Sequence, residues 1–150
     1  MTQEDKKLLL RDLCSRLPCG VKIHLEDFPN ATLIGVVNEG IILHCDKYNY
    51  TYDTSWNIEY IKPYLFPLSS MTEEQIEKLK EELCNMYDPY HDYESYENWG
   101  VEVFKKHIHS DNYKFTFTAD MVDWLNKNHF DYRGLIPMGL AIDATNLNIY

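Results

Sequence analysis

The sequence predicts an α+β fold: an N-terminal helix, an antiparallel sheet or small SH3-like barrel, and two further helices packed on it. Three observations carry the prediction. Apolar residues recur at helical spacing near the N-terminus and again after residue 72. Between Val21 and Ile61, apolar and polar residues alternate in short runs separated by turn formers. No repeat and no Gly/Ser-rich linker divides the 150 residues, a length that suits one domain, with an acidic, Tyr-rich insertion or loop at about 87–100.

The elements follow in order. Thr2 and Asp5 form a capping box ahead of Leu9, Leu10, Leu13 and Leu17, which predicts a helix over about 3–16 that ends at Pro18 and Gly20. Val21–Leu25, Thr32–Val37 and Ile41–Cys45 read as strands, with a tight turn at Asn38-Glu39-Gly40. Lys47–Tyr52 alternates and reads as a fourth strand. Residues 61–67 are extended, because a residue before proline avoids the helical region. Thr72 and Gln75 open a second helix over about 73–86, with Ile76, Leu79, Leu83 and Met86 on its apolar face. Tyr113–Phe117 reads as a strand, and a third helix runs from Thr118 to about Asn128. His129–Gly134 is a turn, and Leu135–Ala144, broken by Pro137 and Gly139, is expected as a short helix or packed tail.

The charge is uneven. The chain carries a net −10, of which residues 73–102 contribute −8 through ten acids and two lysines. No basic run is longer than two lysines, which argues against binding to a phosphate backbone. No apolar run approaches the ~20 residues of a membrane span, and the charged opening has no signal-peptide character. Cys14, Cys19, Cys45 and Cys84 include no C-x-x-C pair, so reduced thiols packed as small hydrophobes in a cytoplasmic protein are expected.

Three sets of residues could carry a function. Tyr87, Tyr90, Tyr93, Tyr96 and Trp99 fall at three-residue intervals, with Asp88, Asp92, Glu94 and Glu97 between them. Tyr and Trp offer large rigid contact area with a polar tip, so this acidic, ring-rich stretch suits docking onto a basic protein surface. A solvated acidic loop is the simpler account of its charge. The second set is His107, His109 and Asp111, which share a face if the stretch is extended and could hold Zn²⁺ or Fe²⁺ with His91 or His129. An exposed polar strand edge explains the same spacing. The third is Tyr48, Tyr50 and Tyr52 with Trp56 and Tyr60, a stacking surface for a small ligand or oligonucleotide, or the packed face of a sheet. Phosphate-binding loops and a nucleophile elbow are absent from the sequence. Asp131 and Arg133 read as an ion pair fixing their turn, with Asp123 close by. The leading expectation is a non-enzymatic interaction protein that needs no cofactor.

Three blocks, LLLRDLCSRLPCGVK at 8–22, IKPYLFPLSSMTEEQ at 61–75 and DWLNKNHFDYRGLIPMGLAIDA at 123–144, resemble a family of short proteins from intestinal anaerobic bacteria and their phages or mobile elements. That family has no known activity, so the resemblance assigns no residue a role. It implies an intracellular accessory protein. The resemblance extends over most of the chain, from 8 to 144, and is least at 87–112.

Overall fold

The structure is a computed structural model that describes residues 1–26, 28–37, 40–47, 50–86 and 119–150. At 29, 30, 46, 47, 50–52, 54 and 83–86 the backbone alone is described. The chain forms two compact units: Met1–Pro67 with Asn126–Tyr150, and Leu68–Leu125.

The first unit opens with α1 (Gln3–Arg16). Thr2 Oγ1 accepts from Asp5 N at 3.1 Å, and Asp5 Oδ2 accepts from Thr2 N at 2.8 Å, so the predicted capping box closes. A 3-10 turn at Leu17–Cys19 follows, and Gly20 ends it at φ +65°, a conformation open to glycine at no steric cost. The buried face of α1 holds Leu9, Asp12, Leu13 and Arg16. Leu10 and Leu17, expected in the apolar stripe, are half-buried at its edge, because the covered face is centred between Leu9 and Leu13 on one side and Asp12 and Arg16 on the other.

Five strands run antiparallel: β1 (Lys22–Leu25), β2 (Phe28–Val37), β3 (Gly40–Lys47), β4 (Tyr50–Asn57) and β5 (Lys62–Pro67). Their order in the sheet is β4-β3-β2-β1-β5. The register shifts between Ile23 and Leu25 of β1 and between Leu33 and Gly35 of β2, and at both places β2 carries one residue more than its partner strand. No pairing joins β4 to β5 among the described residues, so these five strands form an open antiparallel arrangement within a mixed sheet.

Val37 pairs with Gly40, which puts a chain reversal at the predicted Asn38-Glu39-Gly40 turn, although 38 and 39 lie outside the described residues. The next reversal departs from expectation. Lys47 ends β3 and pairs with Tyr50, the first residue of β4. The predicted strand over 47–52 is thus divided between two strands: alternation marks extended backbone without marking where it turns back.

The end of the chain also differs from expectation. β6 (Phe130–Asp131) and β7 (Ile142–Asp143) each add two residues in parallel to β5, through Phe66↔Phe130 and Tyr64↔Ile142. Residues 135–141 form turns in place of a short helix. Leu135 O accepts from both Leu140 N and Ala141 N, and Pro137 and Gly139, at φ +71°, interrupt any helical run.

Leu9 and Leu13 of α1 join Ile23, Leu33, Ile41, Leu43, Leu65 and Leu135 in one buried cluster. Each such side chain contributes about 1.5–3 kcal/mol by leaving water. Strand alternation supplies this cluster from one face of the sheet. Cys45 lies within it as expected, but Cys14 is exposed and Cys19 half-buried. Position 14 falls on the outer side of α1, opposite Leu9 and Leu13.

The second unit contains α2 (Glu73–Met86), opened by the predicted Thr72–Gln75 capping box with hydrogen bonds of 2.9 and 3.2 Å. Met71, Ile76 and Leu79 are buried in it. A third helix, α3 (Ala119–Lys127), lies where the sequence placed it. No described helix is long and apolar enough to cross a membrane.

Candidate functional site

Residues 87–118 lie outside the described residues. With them go Tyr87, Tyr90, Asp92, Tyr93, Glu94, Tyr96 and Trp99 of the docking segment, and His91, His107, His109 and Asp111 of the metal set. What the structure does describe is the helix that leads into the segment.

The two faces of α2 are chemically distinct. Ile76 and Leu79 are buried, while Glu73, Glu74, Glu77, Glu81 and Glu82 are exposed. Residues 73, 77 and 81 are four apart and therefore line up along the helix. Lys78 pairs with Glu74 at 2.7 Å, and Lys80 pairs with Glu77 at 3.3 Å. Glu73, Glu81 and Glu82 make no ion pair among the described residues. The Lys78 ammonium holds the Glu74 carboxyl below its ordinary range. Even counting both lysines, the helix presents excess negative charge.

The face of the sheet opposite the buried cluster carries a polar row. Lys22 pairs in register with Thr32, Thr32 with His44, and His44 with Asp53, so four strands contribute one residue each. Lys22 Nζ donates to Thr32 Oγ1 at 2.8 Å, and His44 Nδ1 lies 2.9 Å from Asp53 Oδ1. Beside the row, His24 Nδ1 lies 2.8 Å from the Tyr64 hydroxyl, whose pKa is raised by burial. These contacts satisfy one another across the strands and leave His44 and Asp53 partly exposed.

Of the proposed stacking surface, Tyr48 lies outside the described residues, and Tyr50 and Tyr52 are placed by backbone alone, opposite Lys47 and Cys45. Trp56 packs against the core, edge-on to Phe28 with ring centres 6.3 Å apart. Tyr60 is 69% exposed.

The most concentrated chemistry is where α1 meets the segment 129–136. Asp12 and Arg16 are fully buried. Arg16 donates Nε to Asp12 Oδ2 at 2.7 Å and Nη2 to Oδ1 at 3.2 Å, and Nη2 also reaches the Phe130 carbonyl at 2.8 Å. Arg133 donates Nε to the same Asp12 Oδ1 at 3.2 Å. Both guanidinium groups lie against the Tyr132 ring, 5.5 and 4.7 Å from its centre. The expected Asp131–Arg133 pair is therefore corrected: Asp131 instead accepts from Leu135 N at 2.9 Å and Ile136 N at 2.7 Å, capping the turn, and Asp123 is exposed. Sequence reasoning missed Asp12 and Arg16. Their separation of four residues on α1 signalled a pair, but nothing in the pattern named Arg133 as the third member.

His129, considered above as an extra metal ligand, has a different setting. It stacks on Tyr150 with ring centres 3.9 Å apart and planes 13° apart. Tyr150 Oη accepts from Lys22 N at 3.1 Å and donates to Tyr64 O at 2.8 Å. Burial, and then the Arg16 charge, lower the His129 pKa to about 4; burial pushes Tyr150 up to about 12. Arg16 Nη1, Asn126 Oδ1 and His129 Nδ1 are buried and have no hydrogen-bond partner among the described residues. No group of three His, Cys, Asp or Glu able to hold a metal ion occurs among the described residues.

Comparison with protein-family models, with curated proteins and with solved structures finds no match to this chain.

Proposed function

We propose that the chain is a non-enzymatic interaction protein, of the accessory type that phages and mobile elements encode, which docks onto the basic face of a protein partner. The observation that carries the reading is the outward face of α2, where five exposed glutamates stand against one exposed lysine, Lys78, while the buried Lys80 pairs with Glu77. That helix runs directly into the sequence stretch where Tyr87, Tyr90, Tyr93, Tyr96 and Trp99 alternate with further acids. Acidic side chains steer a basic partner and speed association, and aromatic rings supply the area that holds it.

The test is affinity capture from an extract of the native host, comparing the intact chain with a Tyr90→Ser, Tyr93→Ser, Tyr96→Ser variant. The expected result is a specific protein bound by the intact chain and lost from the variant, with equal thermal melting of both baits. Equal capture by both, or capture of no specific protein, contradicts the reading.

A further inference from the structure

We propose that Arg16 and Arg133, gathered by Asp12, form a binding site for a phosphate group, carried as the free ion or as a small phosphomonoester. Two guanidinium groups converge on one carboxylate, so the triad holds one positive charge in excess. Asp131, the acid of the same segment, is committed to the N–H groups of Leu135 and Ile136. An unmade hydrogen bond is costly at a buried position. Arg16 is fully buried, yet its Nη1 has no partner among the described residues. The nearby His129 Nδ1 is likewise buried and unpartnered among the described residues.

An oxyanion answers the excess charge and the unused donor together. Guanidinium groups suit it because their N–H donors are fixed in a planar fork that matches phosphate oxygens. Asp12 is here a positioning residue: by holding Nε of both arginines it sets the orientation of their remaining N–H groups. Tyr132, flanked by both guanidinium groups, forms a flat wall beside them. Arg133, 19% exposed at its side chain, keeps the cluster within reach of solvent.

The test is thermal unfolding of the full chain in rising inorganic phosphate, and separately in glycerol phosphate, against sodium chloride at matched ionic strength. Alongside it, the arginine Nε–H resonances are followed by NMR. Binding to the folded state raises the melting temperature by mass action, on the order of 4–8 °C at tens of Kd for a chain of this size. The proposal expects that rise, with shifts at Arg16 and Arg133, and its loss in Arg133→Gln. A response to both probes identifies the free ion as sufficient, and a response to the ester alone identifies the monoester. If Arg133→Gln does not fold, the resonance shifts of the intact chain decide. No rise with either probe, a rise that survives in Arg133→Gln, or unmoved Arg16 and Arg133 resonances overturns the proposal and leaves an internal water as the partner of Nη1.

Discussion

Arg133 donates its Nε to the carboxylate of Asp12, 121 residues earlier in the chain, at 3.2 Å. Asp12 also takes two hydrogen bonds from Arg16, so one buried carboxylate ties the N-terminal helix to the segment that follows α3. Through Arg16 the same tie reaches the Phe130 carbonyl, at the strand that pairs with β5.

Replacing Asp12 should therefore be among the most damaging single changes in the first unit. Asp12→Ala leaves two guanidinium groups facing each other, one of them fully buried. Removing one partner of a buried ionic cluster costs roughly 3–5 kcal/mol. Urea denaturation of the variant should show that loss. A change below about 1 kcal/mol would mean that the triad is not desolvated as the structure describes.

His129 makes stability depend on pH. Its folded pKa of about 4 lies below the ordinary 6.5, so the unfolded chain binds the proton more readily. The stability it contributes is complete above about pH 6.5 and is lost as the pH falls toward 4; below that, no further loss comes from this residue. His129 has φ +59°, which asparagine tolerates among non-glycine residues. His129→Asn should flatten the melting temperature between pH 6.5 and 4 relative to the native chain. An unchanged slope would assign the dependence to other groups.

The Tyr150 ring is expected to matter more than its hydroxyl. Tyr150→Phe keeps the stack on His129 and loses the hydrogen bonds to Lys22 N and Tyr64 O, a cost of roughly 1 kcal/mol for each typical bond. Tyr150→Ala also loses the stack and the contact with Phe66, whose ring centre is 5.7 Å away. Chemical denaturation should rank the alanine variant below the phenylalanine one. Equal losses would mean that the ring contributes nothing beyond its hydroxyl.

Thr72 starts α2 through its bond to Gln75 N. Thr72→Ala should cost about 1 kcal/mol and lower the helical signal of the second unit. Thr72→Ser retains the acceptor and should restore most of it.

Local structure was legible in the sequence where short-range chemistry decides it. Both capping boxes lie within three residues and appear as read, and α1 and α2 keep their expected limits. The division of Lys47–Tyr52 between β3 and β4 was not legible, because Tyr and Thr favour strand on either side of a turn. Nor were β6 and β7: two residues carry no period, and their partner β5 lies more than sixty residues away. The buried Asp12–Arg16–Arg133 cluster was hidden for a related reason. Amphipathic reading assigns charged residues to the outer face of a helix, and here a distant arginine and a backbone carbonyl bring them inside. The acidic character of 73–82 was legible from composition, and the outward direction of five glutamates follows from the spacing of Ile76 and Leu79.

The most direct measurement of the proposed function is capture of the partner in rising salt, using the intact chain and a Glu73→Gln, Glu77→Gln, Glu81→Gln, Glu82→Gln variant of equal thermal stability. Docking by charge predicts that the intact chain releases its partner steeply as ionic strength rises above about 0.15 M, where charges are screened beyond ~8 Å. It predicts that the variant binds several-fold more weakly at low salt. Capture that is insensitive to salt and identical for both chains would contradict an acidic docking surface on α2.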